Sequence, residues 1–390
     1  MSEHVNENPF LFGKPVQGAF FCNRRKELQH LDRLFRSRNS GWLYAPRRYG
    51  KTSLIREAFA LLEGDSISTA YVDLWPLTND ADFLFPFMSG ITEMLQREWK
   101  GLDKILNFLR SVLKSFVPTV TVNNEGRPVF SVTPVGTPDR LALEELLALP
   151  EQLAKRRDTR VVIAFDEFQE VVKIKGLESR LRSVMQHQQR VSYLLAGSQA
   201  SLLERMFSSP ERPFYHFAEH IPIGRIPRKE LTRYIYGRFE WSGMPVSEEA
   251  AEALVALAED HPNFAQQFAA TAWNLLHQGH GEQDELIERV IEQVVASQDT
   301  GFRMVFDRLS GSQRRVLMEI ALRGGAGLLS TSRRKAGGLD PPSTVSSALA
   351  RLAEQEILVH DHEDGTWLYL NPAFQLWVKR RATQQAPARF

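Results

Sequence analysis

The chain has 390 residues, more than one ordinary core accommodates, so two or three domains are expected. Its 48 Lys and Arg against 47 Asp and Glu leave a net charge of +1, which argues against a nucleic-acid coat or a membrane-surface protein and leaves room only for a local basic face. Apolar residues make up 43%, ordinary for a globular fold.

The one cysteine, Cys22, has no second cysteine to pair with, which suits a reducing compartment, and no matching base is in sight for covalent catalysis. The opening "MSEHVNENPF" lacks the charged-then-apolar build of a signal peptide. No apolar run approaches the about 18 residues of a membrane span. A soluble, cytoplasmic protein with no membrane partner is expected.

Trp42-Leu43-Tyr44 is short, apolar and β-prone, and Gly41 and Pro46 bound it, which predicts a buried strand. "TSLIREAFALL", 52–62, places Leu54, Ile55, Ala58, Leu61 and Leu62 at helical spacing. The stretch between, Ala45-Pro46-Arg47-Arg48-Tyr49-Gly50-Lys51-Thr52, then sits where a phosphate-binding loop must sit, between a strand and a helix. Backbone N–H groups of this loop, running on to Ser53, would wrap phosphates at a helix N-terminus. Lys51 would hold the β- and γ-phosphates and Thr52 would ligate Mg²⁺. Ala45 stands where the usual pattern begins with Gly.

"AYVDLW", 70–75, reads as a second sheet strand, and 82–116 shows helical periodicity. "TVTVNNEGRPVFSVTP", 119–134, alternates apolar and polar residues about a turn signal, which predicts an inserted hairpin that contacts a partner or covers a sheet edge. Residues 138–156 return to a helix. "VVIAFDEFQE", 161–170, runs five apolar residues into Asp166-Glu167, a central parallel strand with acids at its C-terminal edge. Asp166 can support Mg²⁺ and Glu167 can polarise the water that attacks the γ-phosphate. "VSYLLAGSQASLL", 191–203, is a third strand. Two readings of Ser198 stand: a polar sensor between Glu167 and the γ-phosphate, or a cap of the next helix.

Residues 228–300 are helical throughout, with Ser247 and Asp284 as candidate caps. From there the order becomes helix, "LSTSRRKAG" as a short helix, "PPSTVSSALARLAEQ" as a third, and two strands about Asp364-Gly365. The third helix is expected to have Ser343 or Thr344 near its cap and to turn Val345, Leu349 and Leu352 inward. That is the order of a winged helix-turn-helix. Its exposed Ser343, Ser347 and Arg351, with Arg333, Arg334 and Lys335 upstream, are the candidate nucleic-acid contacts. "HDHED", 360–364, lies at a wing turn, where polar residues are expected without a metal.

With these residues in place, the chain resembles the P-loop ATPases of the AAA+/STAND group, and in particular the archaeal-type prokaryotic ATPases. "NPFLFGKPVQGAFFCNRRKELQHL" is similar to that family's N-terminal box, which implies that Phe21, Asn23 and Arg24 help hold adenine. "APRRYGKTSL" resembles its Walker A loop and "FDEFQEV" its Walker B motif. "LAGSQASLLERMF" is similar to its sensor strand. "AEDHPNFAQQFAATAW" resembles its lid, with Asp260 in place of a usual Gly and Pro262 near the base. An Arg that relatives tend to carry after the sensor helix is replaced here by His216 and Phe217, with Arg212 or Arg225 as substitutes.

The expected architecture is α/β: a P-loop NTPase core with a parallel sheet over 1–227, carrying an insertion at about 82–134, a helical lid at 228–300 and a winged helix at 301–390. The expected ligands are ATP and Mg²⁺. Three functional readings remain open on the sequence: a slow ATPase switch acting on a DNA or protein partner, a non-hydrolysing ATP-binding regulator, and a DNA-binding regulator in which ATP sets conformation. An oligomer is compatible with all three.

Overall fold

The computed structural model describes residues 7–63, 65–122, 128–136, 140–279, 285–361 and 364–385. They form two compact units, one of residues 15–224 and one of 225–390 together with the first 14 residues.

Strands of the larger unit are β1 (Gly41–Tyr44), β2 (Ile67–Asp73), β3 (Phe116–Val122), β4 (Pro128–Pro134), β5 (Arg160–Asp166), β6 (Val191–Gly197) and β7 (Glu219–His220). Five of them make one sheet in the order β2-β5-β6-β1-β7, with every pair parallel. Side chains of these strands alternate between two cores. Trp42, Val161, Ile163, Phe165, Tyr193 and Leu195 enter one, and Leu43, Val162, Ala164, Leu194 and Ala196 the other. Burial on both faces is why these strands read as unbroken apolar runs. Helices Arg25–Arg36 and Lys51–Ala60 supply the second core, and Asp80–Glu98, Leu102–Val112 and Leu177–Met185 help close the first.

The stretch expected to be helical over 82–116 is two helices, broken at Trp99–Gly101 before β3 begins at Phe116. The single helix expected over 138–156 is likewise two, Arg140–Leu147 and Leu149–Arg157. The expected hairpin is present as antiparallel β3 and β4, with Val120 opposite Phe130. Its turn signal, residues 123–126, lies outside the described residues.

Among the described residues, the second unit has four helices between Arg228 and Asp307: Arg228–Trp241, Glu248–Leu257, Pro262–His277 and Leu286–Asp307. Ser247 caps the second of these, accepting from the Ala250 N–H at 3.1 Å. The other expected cap, Asp284, lies outside the described residues. The last helix runs through position 300, where a domain boundary was expected. Helices Gly311–Arg323, Thr331–Gly337 and Pro342–Glu354 follow, then antiparallel β8 (Leu358–Asp361) and β9 (Thr366–Tyr369) and a closing helix, Pro372–Gln385. Val345, Leu349 and Leu352 are buried as expected. Pro341 occupies the cap and Pro342 the first turn, so Ser343 and Thr344 lie near the cap as expected without supplying it. Proline suits that place because its missing N–H would have no helical partner there. No helix among the described residues is long and apolar enough to cross a membrane.

Candidate active site

The site grows from three strand ends. Ala45, fully buried, follows β1 and donates its N–H to Gly197 O at 3.2 Å, tying the loop to the end of β6. The chain then turns through Pro46, Arg47, Arg48 and Tyr49, the Tyr49 N–H returning to Pro46 O at 3.3 Å. Arg48 and Gly50 have φ of +68° and +87°. Gly50 accepts this left-handed geometry without a Cβ clash and starts helix Lys51–Ala60, whose N-terminus favours an anion.

Four side chains expected to act together do meet. Lys51 Nζ lies 2.8 Å from Asp166 Oδ1 and 2.9 Å from Glu167 Oε1. Thr52 Oγ1 donates to Asp166 Oδ2 at 2.9 Å. Ser198 joins them, its hydroxyl donating to Glu167 Oε2 at 2.8 Å. The strand order explains the convergence, because β6 lies between β1 and β5, so that Gly197 meets the loop after β1 and Ser198 meets Glu167 after β5. Lys51 and Asp166 are both buried, and their pairing offsets the desolvation that either charge would meet alone.

Glu167 adopts φ +53° and donates its N–H to Asp166 Oδ1 at 2.9 Å, a left-handed geometry that costs a non-glycine residue about 1 kcal/mol. Burial pushes its carboxyl up, yet Lys51 and the donors from Gln169 and Ser198 outweigh burial and hold it below the ordinary carboxylate value.

The remaining expected residues are placed as follows. Ser53 Oγ accepts from the Val16 N–H at 3.0 Å. Arg24 is buried; its guanidinium donates to Gly224 O at 2.5 Å, Glu27 Oε1 at 3.0 Å and Tyr49 O at 3.4 Å. It therefore ties the phosphate loop to the last residue of this unit. Asn23 precedes it with φ +58°. Arg47 stacks over Trp75 at 5.3 Å from the ring centre. Arg212 is paired with Glu178 at 2.6 Å. In the other unit, Pro262 opens its helix and Arg225 stands 4.0 Å from Asp361. There too, Arg333 pairs at 2.8 Å with the buried Glu319, which also holds Arg323. Arg334 Nε donates to Leu329 O at 3.2 Å, Ser347 Oγ to Ser343 O at 2.9 Å, and Lys335 and Arg351 are exposed.

Sequence reasoning assigned no role to three residues that complete the site. Tyr71 on β2 donates its hydroxyl to Asp166 Oδ2 at 2.7 Å. Burial, then the Asp166 charge, pushes the phenol far above its ordinary value, so it stays a donor. Asp73, paired in register with Asp166, has its carboxyl raised by burial, with the Trp75 N–H working against this and the Asp166 and Glu167 charges adding to it. Gln169 donates its Nε2 to Glu167 Oε2. The first two were within reach of a closer reading: Tyr71 and Asp73 are two apart in "AYVDLW" and share a face, while Ala70, Val72 and Leu74 face the core.

This strand order and convergence of residues define a P-loop ATPase core. Residues 21–211 match the model of an ATPase domain found predominantly in Archaea. That segment is similar to an archaeal-type ATPase domain, and the chain is a P-loop ATPase. Among solved structures, the Walker-type ATPase PABY2304 of Pyrococcus abyssi matches with a TM-score of 0.64 at 15% identity, covering 95% of this chain and 99% of that one. The ORC2 protein of Aeropyrum pernix in its ADP form matches at 0.51 with 16% identity, covering 98% and 97%. At these identities the likeness is one of fold. No curated protein matches the chain.

Proposed function

We propose that the protein is a slow, Mg²⁺-dependent ATPase switch whose nucleotide state is reported to a DNA or protein partner. The observation that carries this is the convergence of Lys51, Thr52, Asp166 and Glu167 at the N-terminus of one helix. In the proposed cycle, Lys51 leaves the two carboxylates and takes the phosphates. Glu167 then orients the attacking water.

Thr52 Oγ1 and the Asp166 carboxylate form a hard-oxygen pair that fits Mg²⁺. When bound, the ion would neutralise charge developing on the phosphates. Slow turnover is expected because the two arginines that could stabilise that charge have other partners, Arg212 being tied to Glu178 and Arg225 standing beside Asp361.

The helices and strands over 311–385 read as a winged helix, and the lid reading of 228–307 stands beside it. For a DNA partner, Arg334, Lys335 and Arg351 are the proposed phosphate contacts, with Arg333 engaged by Glu319. The same module suits a protein partner. One feature favours a non-hydrolysing regulator instead: Lys51 is already neutralised by the acid pair it would have to leave.

The deciding experiment measures ATP turnover and ATP affinity side by side for wild type, Lys51→Ala and Glu167→Gln, with and without duplex DNA. Wild type should hydrolyse, Lys51→Ala should lose binding, and Glu167→Gln should bind without turnover. If DNA is the partner, its affinity falls steeply with salt and charge reversal across Arg333, Arg334 and Lys335 removes it. Tight ATP binding with no turnover under any condition would sink the switch reading in favour of the regulator.

A further inference from the structure

The three donors on Glu167 are not equivalent. Lys51 alone reaches Oε1, whereas Gln169 Nε2 and Ser198 Oγ both donate to Oε2. We propose that Gln169 is a positioning residue: it fixes Oε2 together with Ser198, so that arrival of the nucleotide phosphates, by taking Lys51, releases Oε1 alone to the attacking water. The inference rests on the reading of Glu167 as the water-orienting carboxylate.

The seat of Gln169 is built for the purpose. The side chain is 1% exposed, and its Oε1 has no hydrogen-bond partner. Leaving a buried polar atom without a partner is costly, and here the other end of the same amide makes a charge-assisted bond. The amide cannot be reversed, because its oxygen would then face the carboxylate. Its Oε1 instead lies against Gly197, the last residue of β6. A Cβ at Gly197 would stand 2.0 Å from Oε1 and 3.1 Å from Cδ of Gln169. Glycine at 197 therefore makes room for the amide. The residue is held from the other side as well, since Gln169 belongs to the 3-10 helix Phe168–Lys173 and Phe168 is fully buried beside it.

Two neutral donors on one oxygen and a displaceable ammonium on the other give the carboxylate a defined orientation through the step that removes the ammonium. Without Gln169, the carboxylate would keep one short donor from Ser198 and could rotate about it. Orientation of this kind is worth about 10- to 100-fold in rate where an outer residue steers a reacting one.

The test uses the full chain and four variants: Gln169→Met, which keeps length and removes the donor; Gln169→Glu, which sets a carboxylate against a carboxylate; Gly197→Ala, which displaces the amide from the opposite side; and Glu167→Gln as reference. Steady-state kcat is read beside the affinity for a fluorescent ATP analogue and the thermal midpoint. Gln169→Met should lower kcat about 10- to 100-fold while nucleotide affinity stays within about twofold and the midpoint holds. Gly197→Ala should lower kcat to the same extent with affinity held, at a lower midpoint because its Cβ also stands 2.8 Å from Leu203 Cδ1, and the double variant should lower kcat no further than either single one. A Gln169→Met protein that turns over at the wild-type rate overturns the inference, as does one whose affinity falls in step with kcat. If Glu167→Gln is inactive while Gln169→Met is normal, only this inference fails. If Glu167→Gln itself turns over normally, the assignment of Glu167 fails first and carries this inference with it.

Discussion

Asp166 accepts from four groups: Lys51 and the Glu167 N–H on Oδ1, Thr52 and Tyr71 on Oδ2. Only the first three follow from reading motifs, because a phosphate loop and an acid pair announce themselves by spacing. Tyr71 does not, since its partner lies 95 positions away and is fixed by the β2–β5 register. Removing its hydroxyl leaves the ring packing in place. Tyr71→Phe should therefore cost about 1.5 kcal/mol in urea unfolding, the usual worth of a hydrogen bond to a charged group. It should also slow turnover about tenfold with metal-free nucleotide affinity unchanged. A variant as stable and as active as wild type would show that Thr52 and Lys51 suffice to hold Asp166. Arg24 likewise has partners that no local pattern gives: its motif resemblance points to adenine, and its guanidinium is buried on Gly224 O and Tyr49 O.

At the scale of elements, the apolar runs at 42–44, 161–165 and 191–196 were legible as buried strands because both faces are covered. The helices were legible by period, but their breaks were not. Periodicity marked 82–116 as helical but did not place the break at Trp99–Gly101 that divides it into two helices. Helix Asp80–Glu98 also lies unusually close to β2. A Cβ at Gly90 would come within 2.4 Å of Tyr71 O and 2.8 Å of Val72 Cγ2. Gly90→Ala is therefore expected to push the helix off the strand and destabilise this unit by about 1–3 kcal/mol, as overpacking does. That loss should outweigh the gain in helix propensity of about 1 kcal/mol. Chemical denaturation checks it, and a stabilised variant would mean that the approach relaxes without cost.

At the scale of the whole molecule, the division into units departs from chain order. The first 14 residues belong with 225–390 rather than with the sheet that follows them. Asn8 Nδ2 donates to Ala270 O at 3.0 Å, the Leu11 N–H donates to Gln266 Oε1 at 3.1 Å, and the Phe10 ring lies 4.7 Å from that of Phe239. Phe10 is 4% exposed, so Phe10→Ala should cost about 3 kcal/mol, in the range for a buried aromatic. The check is unfolding of 225–390 followed through its tryptophans, and a loss under about 0.5 kcal/mol would mean that the segment adds little there.

The sequence by itself determined the class of protein and the centre of its site. Strand, glycine-bearing loop, Lys51-Thr52 and helix are contiguous, and the apolar run before Asp166-Glu167 marks a central strand, so local spacing was enough. Tertiary structure decided what depends on register and long-range contact. It brought Tyr71 and Asp73 across from β2, seated Gln169 against Gly197, and drew Arg24 to Gly224 and Arg333 to Glu319. It also joined residues 8–13 to a helix some 250 positions later in the chain, an association that side-chain packing and hydrogen bonding create and no local pattern encodes.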